Sequence, residues 1–406
     1  MPVEAGWGMG RGGKGIHHTT DPHYCEGAVR LGTGPGFFRP ESRPARDLGM
    51  LLARLLAAAG PVRALDLMAG CGIRALRYGV EGGAQEVWAN DADGDRRPLL
   101  AANLAALPAG CHLRLSSSTA QQVLAACQRR RRRFELVDID AFGCPTALLP
   151  AALDAVSLGG VLYLASTDGR SATGHDRAVA VRRFGAAARA HPASWELALR
   201  LQLGSLARAA WALGRGLTPL LSFSEGRTFR TAIRLDRHPA AAAEAALGLV
   251  AHCHGCGDQQ VQPLLRLGRW ARCRCGVEAP LAVSGPLWIG ALQHSATVAR
   301  LQEAALADPI GVAKASARLL TRLQADPGVP ARCWPTALIG HHLGGGPPPL
   351  ATLVAALRQR GHGAWASGVM EGHLRSDAPW PELLATAGGL AGHNGAAFRT
   401  APGHGL

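Results

Sequence analysis

The segment Val137-Asp138-Ile139-Asp140-Ala141-Phe142-Gly143 closes an apolar run with a carboxylate, a backbone carbonyl and an aromatic ring. If the run is a strand of an open α/β sheet, these groups sit at its carboxyl end, where such sheets bind ligands. A carboxylate and a carbonyl accept hydrogen bonds from an exocyclic amino group, and an aromatic ring stacks on the heterocycle that carries it. Upstream, Asp66-Leu67-Met68-Ala69-Gly70-Cys71-Gly72-Ile73-Arg74 reads as a strand, a turn of small residues and a helix start. Such a turn, with Gly70 and Gly72, lets a ligand approach the backbone closely. Asp91 follows Gly72 by nineteen positions, a spacing that suits an acid binding ribose hydroxyls. The turn lacks the third glycine of the dinucleotide fingerprint, so a cofactor without pyrophosphate fits better. S-adenosylmethionine therefore stands ahead of a nicotinamide or flavin nucleotide, and ahead of a turn that only packs.

With that cofactor in place, the amino group becomes a methyl acceptor. An aromatic amine is a poor nucleophile because its lone pair is delocalised into the ring. Asp140 and the carbonyl of Ala141 can take its two hydrogens and free the lone pair, while Phe142 offers a stacking face for an extruded base. Plainer roles stay open: Asp140 as a helix cap, Phe142 as core. Asp138 lies two residues earlier on the same strand face, as a direct or a supporting acid.

Cys253-His254-Gly255-Cys256 and Cys273-Arg274-Cys275 form a CxxC and a CxC separated by 16 residues. Four thiolates in two close pairs match a structural tetrahedral Zn2+ site, the alternative being four separate thiols. All four positions being sulfur, none is left for water, which excludes a catalytic zinc. His252 and His254 read as flanking residues, and the doublets His17-His18 and His341-His342 as surface.

Positioning these groups requires alternating strands and helices. Apolar residues recur at helical spacing from Arg46 to Ala59, followed by a strand at Ala64 to Leu67 and a helix through Ala75 and Tyr78. Strands at Glu86 to Ala89, Leu113 to Leu115, Phe134 to Ile139 and Gly160 to Ser166 alternate with helices at Pro98 to Leu107, Gln121 to Cys127 and Leu148 to Val156. That order implies a parallel, doubly wound α/β sheet. A long helix at Trp195 to Leu213 and two late strands, Leu220 to Phe223 and Thr228 to Leu235, complete a first domain, 1–240. The alanine run Ala240 to Ala246 reads as a helix or connector. A second, smaller domain, 241–406, holds the cysteines and then helical patterns beyond Leu301, broken at Gly344 to Pro349 and resuming at Leu350 to Gln359. Residues 1 to about 36 read as loop.

The 406-residue chain is 48% hydrophobic and 18% charged, which excludes a disordered protein. Its formal charge of +14 favours an anionic partner such as nucleic acid. Lysine occurs only at Lys14 and Lys314, so the positive charge is nearly all arginine, which grips phosphate in a forked geometry. Ten cysteines without a secretory signal point to a reducing compartment, and the apolar window Ala147 to Ser166 is broken by Pro150 and Asp154. A cytoplasmic protein with no membrane span is expected, and nothing in the sequence calls for a protein partner.

In order, Phe37-Phe38-Arg39-Pro40, Arg46-Asp47-Leu48, Gly72-Ile73-Arg74, Asn90-Asp91, Asp138 to Pro145, Ala165 to Asp168, Pro219 to Ser224, the four cysteines, Gly285 to Gly290 and Leu374 to Pro379 resemble the tRNA (guanine-26-N2) dimethyltransferases over nearly the whole chain. The resemblance implies a Rossmann-like catalytic domain and a C-terminal α+β domain that helps hold tRNA. It also implies S-adenosylmethionine contacts from Phe38, Arg46, Arg74 and Asp91, and Asp140 as the catalytic acid. The family's proline is Ala141 here, and asparagines are replaced at Arg39 and Ala45. Its Asp-Ala pair near the adenine aligns with Thr119-Ala120, where a hydroxyl replaces a carboxylate. The expected activity is N2-methylation of a tRNA guanine, once or twice. Rivals are amino-methylation of a base in another RNA or in DNA, and a non-catalytic zinc-dependent RNA-binding protein. Arg129 to Arg133, five arginines before the fourth strand, read as a solvated loop or as a phosphate contact near the acceptor site.

Overall fold

The computed structural model describes residues 23–271, 273, 275 and 280–391. His17-His18, Arg274 and most of the expected N-terminal loop lie outside the described residues. Within them, residues 23–32 depart from the expected loop and form a hairpin, β1 (His23–Glu26) and β2 (Val29–Gly32). Its two-residue connection starts at Gly27, whose φ of +59° suits glycine. Each strand is only four residues long, too short to leave a periodic pattern. Glu26 is what anchors it: fully buried, it binds Arg46 and Arg77.

Helix α1 (Arg43–Ala57) leads into the alternating half of the fold. In order follow β3 (Arg63–Asp66), α2 (Ile73–Val80), β4 (Glu86–Asn90), α3 (Arg97–Leu104), β5 (His112–Ser116), α4 (Ala120–Arg129), β6 (Phe134–Asp140), α5 (Leu149–Ala155) and β7 (Val156–Ser166). After α6 (Arg177–Phe184) and α7 (Ser194–Ala212) come β8 (Gly216–Glu225) and β9 (Thr228–Asp236). The seven strands run β5-β4-β3-β6-β7-β9-β8, all in one direction except β9, which is antiparallel to both its neighbours. The chain winds outward from β3 and returns to β6 on its other side. The carboxyl ends of β3 and β6 therefore flank the switch point, where Asp66 lies opposite Asp138.

Alternation along the strands decides what faces the site. Leu65, Val137 and Ile139 pack toward α4, α5 and α7, whereas Ala64, Leu136, Tyr163 and Ala232 pack toward α1 and α2. With a side-chain period of two, Asp66, Asp138, Asp140 and Arg230 all join the α2 side.

The remainder begins with a 3-10 turn at Ala243–Ala246, so the alanine run is a connector. The strands β10 (Leu247–His252), β11 (Gln259–Pro263) and β12 (Ala282–Trp288) form one antiparallel sheet. Then come α8 (Ser295–Ala307), α9 (Lys314–Ala325), β13 (Cys333–Pro335), α10 (Thr336–Leu343), α11 (Leu350–Gln359), β14 (Ala364–Ala366), β15 (His373–Ser376) and α12 (Trp380–Leu390). Apolar cores cross position 240: Leu287 and Leu292 belong with α7, and Val298, Leu301 and Leu320 with α1. At Gly204 of α7 a Cβ would stand 2.9 Å from the Leu287 backbone, so glycine is what lets β12 lie this close. A third core, built on stacked Trp334 and Trp380, holds α10 to α12 together. No helix among the described residues is long and apolar enough to cross a membrane.

Candidate active site

A cleft of about 550 Å3 opens over the carboxyl ends of β3, β4 and β6. Its floor is the turn between β3 and α2. Gly70 has φ +56° and nothing stands within 4 Å of where its Cβ would be, so the cleft comes directly onto backbone there. Asp91, at the end of β4, accepts the Gly70 N–H at 2.8 Å and lines the same wall. Asn90 beside it ties three strand ends, donating to the carbonyls of Leu67 and Ser118 and accepting from Ser116 Oγ. Gly72 does not line the cleft: it caps α2 in the left-handed region, and a Cβ would meet Leu100 at 2.6 Å.

On the opposite wall, Asp140 ends β6 between two guanidinium groups. Its Oδ1 is 2.7 Å from Arg230 Nη2 and its Oδ2 is 3.1 Å from Arg74 Nη2. Burial alone would raise its carboxyl, but the Arg230 and Arg74 charges outweigh that and hold it well below the usual range. Asp140 is thus an ionised acceptor whose side chain keeps about a third of its surface open, at 34%. It caps no helix. Asp138 is fully buried behind it, accepting from Tyr78 Oη and flanked by Arg74 at 3.6 Å and Arg230 at 3.8 Å. That places Asp138 as a support for the two arginines, away from the acceptor. Asp66 is buried as well, and burial together with the neighbouring Asp138 pushes its carboxyl well up.

The loop after Asp140 is pinned from β7: Thr167 Oγ1 accepts the Gly143 N–H at 2.7 Å, and Ser166 Oγ donates to the Gly143 carbonyl at 2.9 Å. The pinning buries Ala141 and turns Phe142 outward, 76% exposed, so Phe142 is not core. Phe37, 65% exposed, meets it edge to face with centroids 5.3 Å apart. Two apolar rings held in water beside an ionised acid form a stacking platform for a flat ligand.

The other expected contacts divide. Phe38 lines the cleft beneath the Arg46 guanidinium, 5.1 Å away. Arg46 donates to Glu26 and to the carbonyls of Arg39 and Pro40, leaving one Nη1 hydrogen for a ligand. Arg74 lines the cleft as well, but its Nη1 is buried toward Asp138 without a hydrogen-bond partner. The spare Arg46 hydrogen fits the carboxylate of an amino-acid-bearing cofactor, and Asp91 fits its ribose. Ala120 lines the cleft but Thr119 does not. The Thr119 side chain instead caps α4 in a capping box with Gln122, which corrects its expected place beside the adenine. Thr119→Ala should cost about 1 kcal/mol of stability in urea melts. It should leave S-adenosylmethionine affinity within twofold by calorimetric titration.

For Arg129 to Arg133 the solvated loop is the reading that stands. They precede β6, whose seven residues put Asp140 about 20 Å away at the other end of the sheet. Arg132 pairs with Glu86, and Arg133 with Asp154 at 3.1 Å. The loop is therefore no neighbour of the acceptor site.

At the β10–β11 turn, Cys253 and Cys256 meet Cys273 and Cys275, all four sulfurs lying within 4.8 Å of one another. Tetrahedral Zn–S bonds of about 2.3 Å imply sulfurs about 3.8 Å apart, so the set fits zinc.

The sequence matches the N2,N2-dimethylguanosine tRNA methyltransferase family over residues 26–387. The chain belongs to that family. Its relatives include the tRNA (guanine(26)-N(2))-dimethyltransferase of Methanocorpusculum labreanum, 28% identical over 86% of this chain and 89% of that one. The Homo sapiens enzyme of the same name is 31% identical over 65% of this chain and 40% of its own. Among solved structures, the complex of Trm1 from Pyrococcus horikoshii with S-adenosyl-L-methionine shares the fold, with a TM-score of 0.78 and 22% identity over 90% and 99% of the two chains. Arg230 and Phe37 are site residues that sequence reasoning missed, Arg230 beside Asp140 and Phe37 against Phe142. Nothing in the sequence of the Arg230 strand, which also holds Arg234 and Asp236, set it apart, and the β7–β9 pairing is what brings it to Asp140.

Proposed function

We propose that the chain transfers one or two methyl groups from S-adenosylmethionine to N2 of a tRNA guanine, with guanine-26, named for its relatives, as the target. The observation that carries this is Asp140, ionised between Arg74 and Arg230 and set beside the exposed Phe37–Phe142 pair. The cofactor supplies an electrophilic methyl group on sulfur. Asp140 accepts one amine hydrogen, which localises the lone pair on nitrogen. As the new N–C bond would form and the sulfur–methyl bond break, its electron pair staying on sulfur, that proton becomes strongly acidic, so even a weak base such as Asp140 can receive it. The rings of Phe37 and Phe142 hold the extruded base against the cleft; extrusion itself costs about a few kcal/mol. In this reading residues 1–240 carry the chemistry and residues 241–406 steady the tRNA. Incubating unmodified tRNA with the protein and methyl-labelled cofactor should label the RNA; label-free RNA from folded, cofactor-binding protein would refute the proposal.

Cys253, Cys256, Cys273 and Cys275 hold a structural Zn2+ in the same reading, tying the β10–β11 turn to the segment that leads into β12. Elemental analysis should find one zinc per chain and none in Cys256→Ser, whose amides in β10 and β11 should exchange faster. Purified parent protein free of zinc in zinc-supplemented medium would remove this assignment.

A further inference from the structure

The positive charge outside the cleft is unevenly placed. Between Gly169 and His191 the sequence holds five arginines, Arg170, Arg177, Arg182, Arg183 and Arg189, against one acid, Asp176. Asp176 is itself occupied, its side chain accepting the Val179 N–H at 3.1 Å to cap α6. Arg170, Arg177 and Arg182 are exposed and have no carboxylate partner among the described residues.

These residues form a path with two fixed ends. At the cleft, Thr167 and Thr228 are lining residues, and each is followed or preceded closely by exposed arginine. The Arg227 side chain lies over Gly169, 3.7 Å from where a Cβ would be, which brings the β8–β9 turn against the segment carrying Arg170. Arg183 is tied back to Asp168 at 2.6 Å, fixing α6 beside the same loop. At the other end, the chain leaving α6 pairs with β12 through Ala187 and Gly285, and the Arg189 N–H donates to Ser284 Oγ. His191 then stacks on His252, next to the first cysteine of the metal site. Arg189 Nε is buried there without a hydrogen-bond partner. Helix α6 spans about 12 Å, enough to face more than one phosphate of a strand.

We infer that Arg227, Arg170, Arg177, Arg182 and Arg189 form a phosphate track. It carries the tRNA backbone from the catalytic cleft to the cysteine knuckle of the C-terminal half. The inference rests on the tRNA reading of the cleft and adds where the substrate lies. Arginine suits the task because its fork grips phosphate without reading the base, so the track positions the RNA and leaves base choice to the cleft.

The test compares two full-length variants with equal charge loss. One is Arg170→Gln/Arg177→Gln/Arg182→Gln. The other is Arg129→Gln/Arg130→Gln/Arg131→Asn at the far end of the sheet, with asparagine because Arg131 sits at φ +50°. Binding of unmodified tRNA is titrated from low to high salt, alongside circular dichroism and S-adenosylmethionine affinity. The track variant should bind tRNA at least tenfold more weakly, and the slope of log affinity against log salt should fall by about 2 for three lost contacts. The far-end variant should keep both. Equal losses in the two variants would mean that net charge alone matters and would overturn the track, as would unchanged binding by the track variant. If the parent labels no tRNA, the reading of the cleft fails instead. Should the triple variant misfold, Arg177→Gln alone still predicts a slope reduced by about 0.7.

Discussion

Asp140→Asn should lower methyl transfer to tRNA by about 10^2–10^4-fold in kcat, the range for losing a positioned acid–base group. Both oxygens of Asp140 are engaged by arginine, Oδ1 by Arg230 and Oδ2 by Arg74, so the carboxylate is aimed before substrate arrives. An amide in its place turns two donors toward guanidinium groups that need acceptors, and the amine loses its anionic partner. Cofactor affinity should change by less than tenfold, since the glycine turn, Asp91 and Arg46 are untouched. The same arginines predict a pH effect. Because Arg230 and Arg74 outweigh burial and hold the Asp140 carboxyl low, the ionised form persists as pH falls. Parent activity should therefore show no acid limb from Asp140 between pH 8 and 5. Removing Arg230 as Arg230→Gln moves the carboxyl back up, so an acid limb should emerge toward higher pH even if the maximal rate is only partly lost. A pH profile for Arg230→Gln superimposable on the parent's would sink this role.

Arg375→Met should destabilise the fold by about 3–5 kcal/mol, the cost of leaving buried charges without their partner. Arg375 is fully buried and joins three parts of the chain. Its Nη1 and Nη2 hold Glu196 of α7 at 2.8 and 2.7 Å, and its Nε holds Asp326 after α9 at 2.7 Å. Arg200 closes the set onto Glu196 at 2.7 Å. Burial alone would raise the Glu196 carboxyl, but Arg375 and Arg200 bring it from 4.5 down to about 2. A carboxyl depressed in the folded state stabilises above its unfolded value and loses that contribution as pH falls through its folded value. Guanidinium melts of the parent should thus lose stability between pH 4.5 and 2, and Arg375→Met should show a shallower loss there. A variant within 1 kcal/mol of the parent at neutral pH would show that the network adds no stability.

The doubly wound sheet was largely legible because its signals are local. Strand β6 announces itself by an apolar run, and a strand period of two puts Asp138 and Asp140 on one face without any tertiary knowledge. The glycine turn, Asp91 and the four cysteines are likewise set by short spacings. What stayed hidden depends on contacts distant in sequence. Arg230 reaches Asp140 only through the β7–β9 ladder, and Phe37 reaches Phe142 only when the segment after β2 folds over the cleft. Thr119 misled because its hydroxyl can bind a ligand or cap a helix, and Gln122 three residues later decides for the cap. With Thr119 out of the cleft, its departure from the family's acid no longer favours a binding-only protein. Of the two readings of the arginine run, the solvated loop stands, since a strand's first residue and its last are at opposite ends of the sheet.

The most direct measurement is nucleoside mass spectrometry of unmodified tRNA after incubation with the protein and S-adenosylmethionine, using guanine-26 and adenine-26 versions of one tRNA. N2-methylated or N2,N2-dimethylated guanosine should appear in the guanine-26 tRNA, and none with Asp140→Asn. The adenine-26 tRNA should yield no such product. Methylation at another atom of the base, or undiminished product from Asp140→Asn, would refute N2 transfer directed by Asp140.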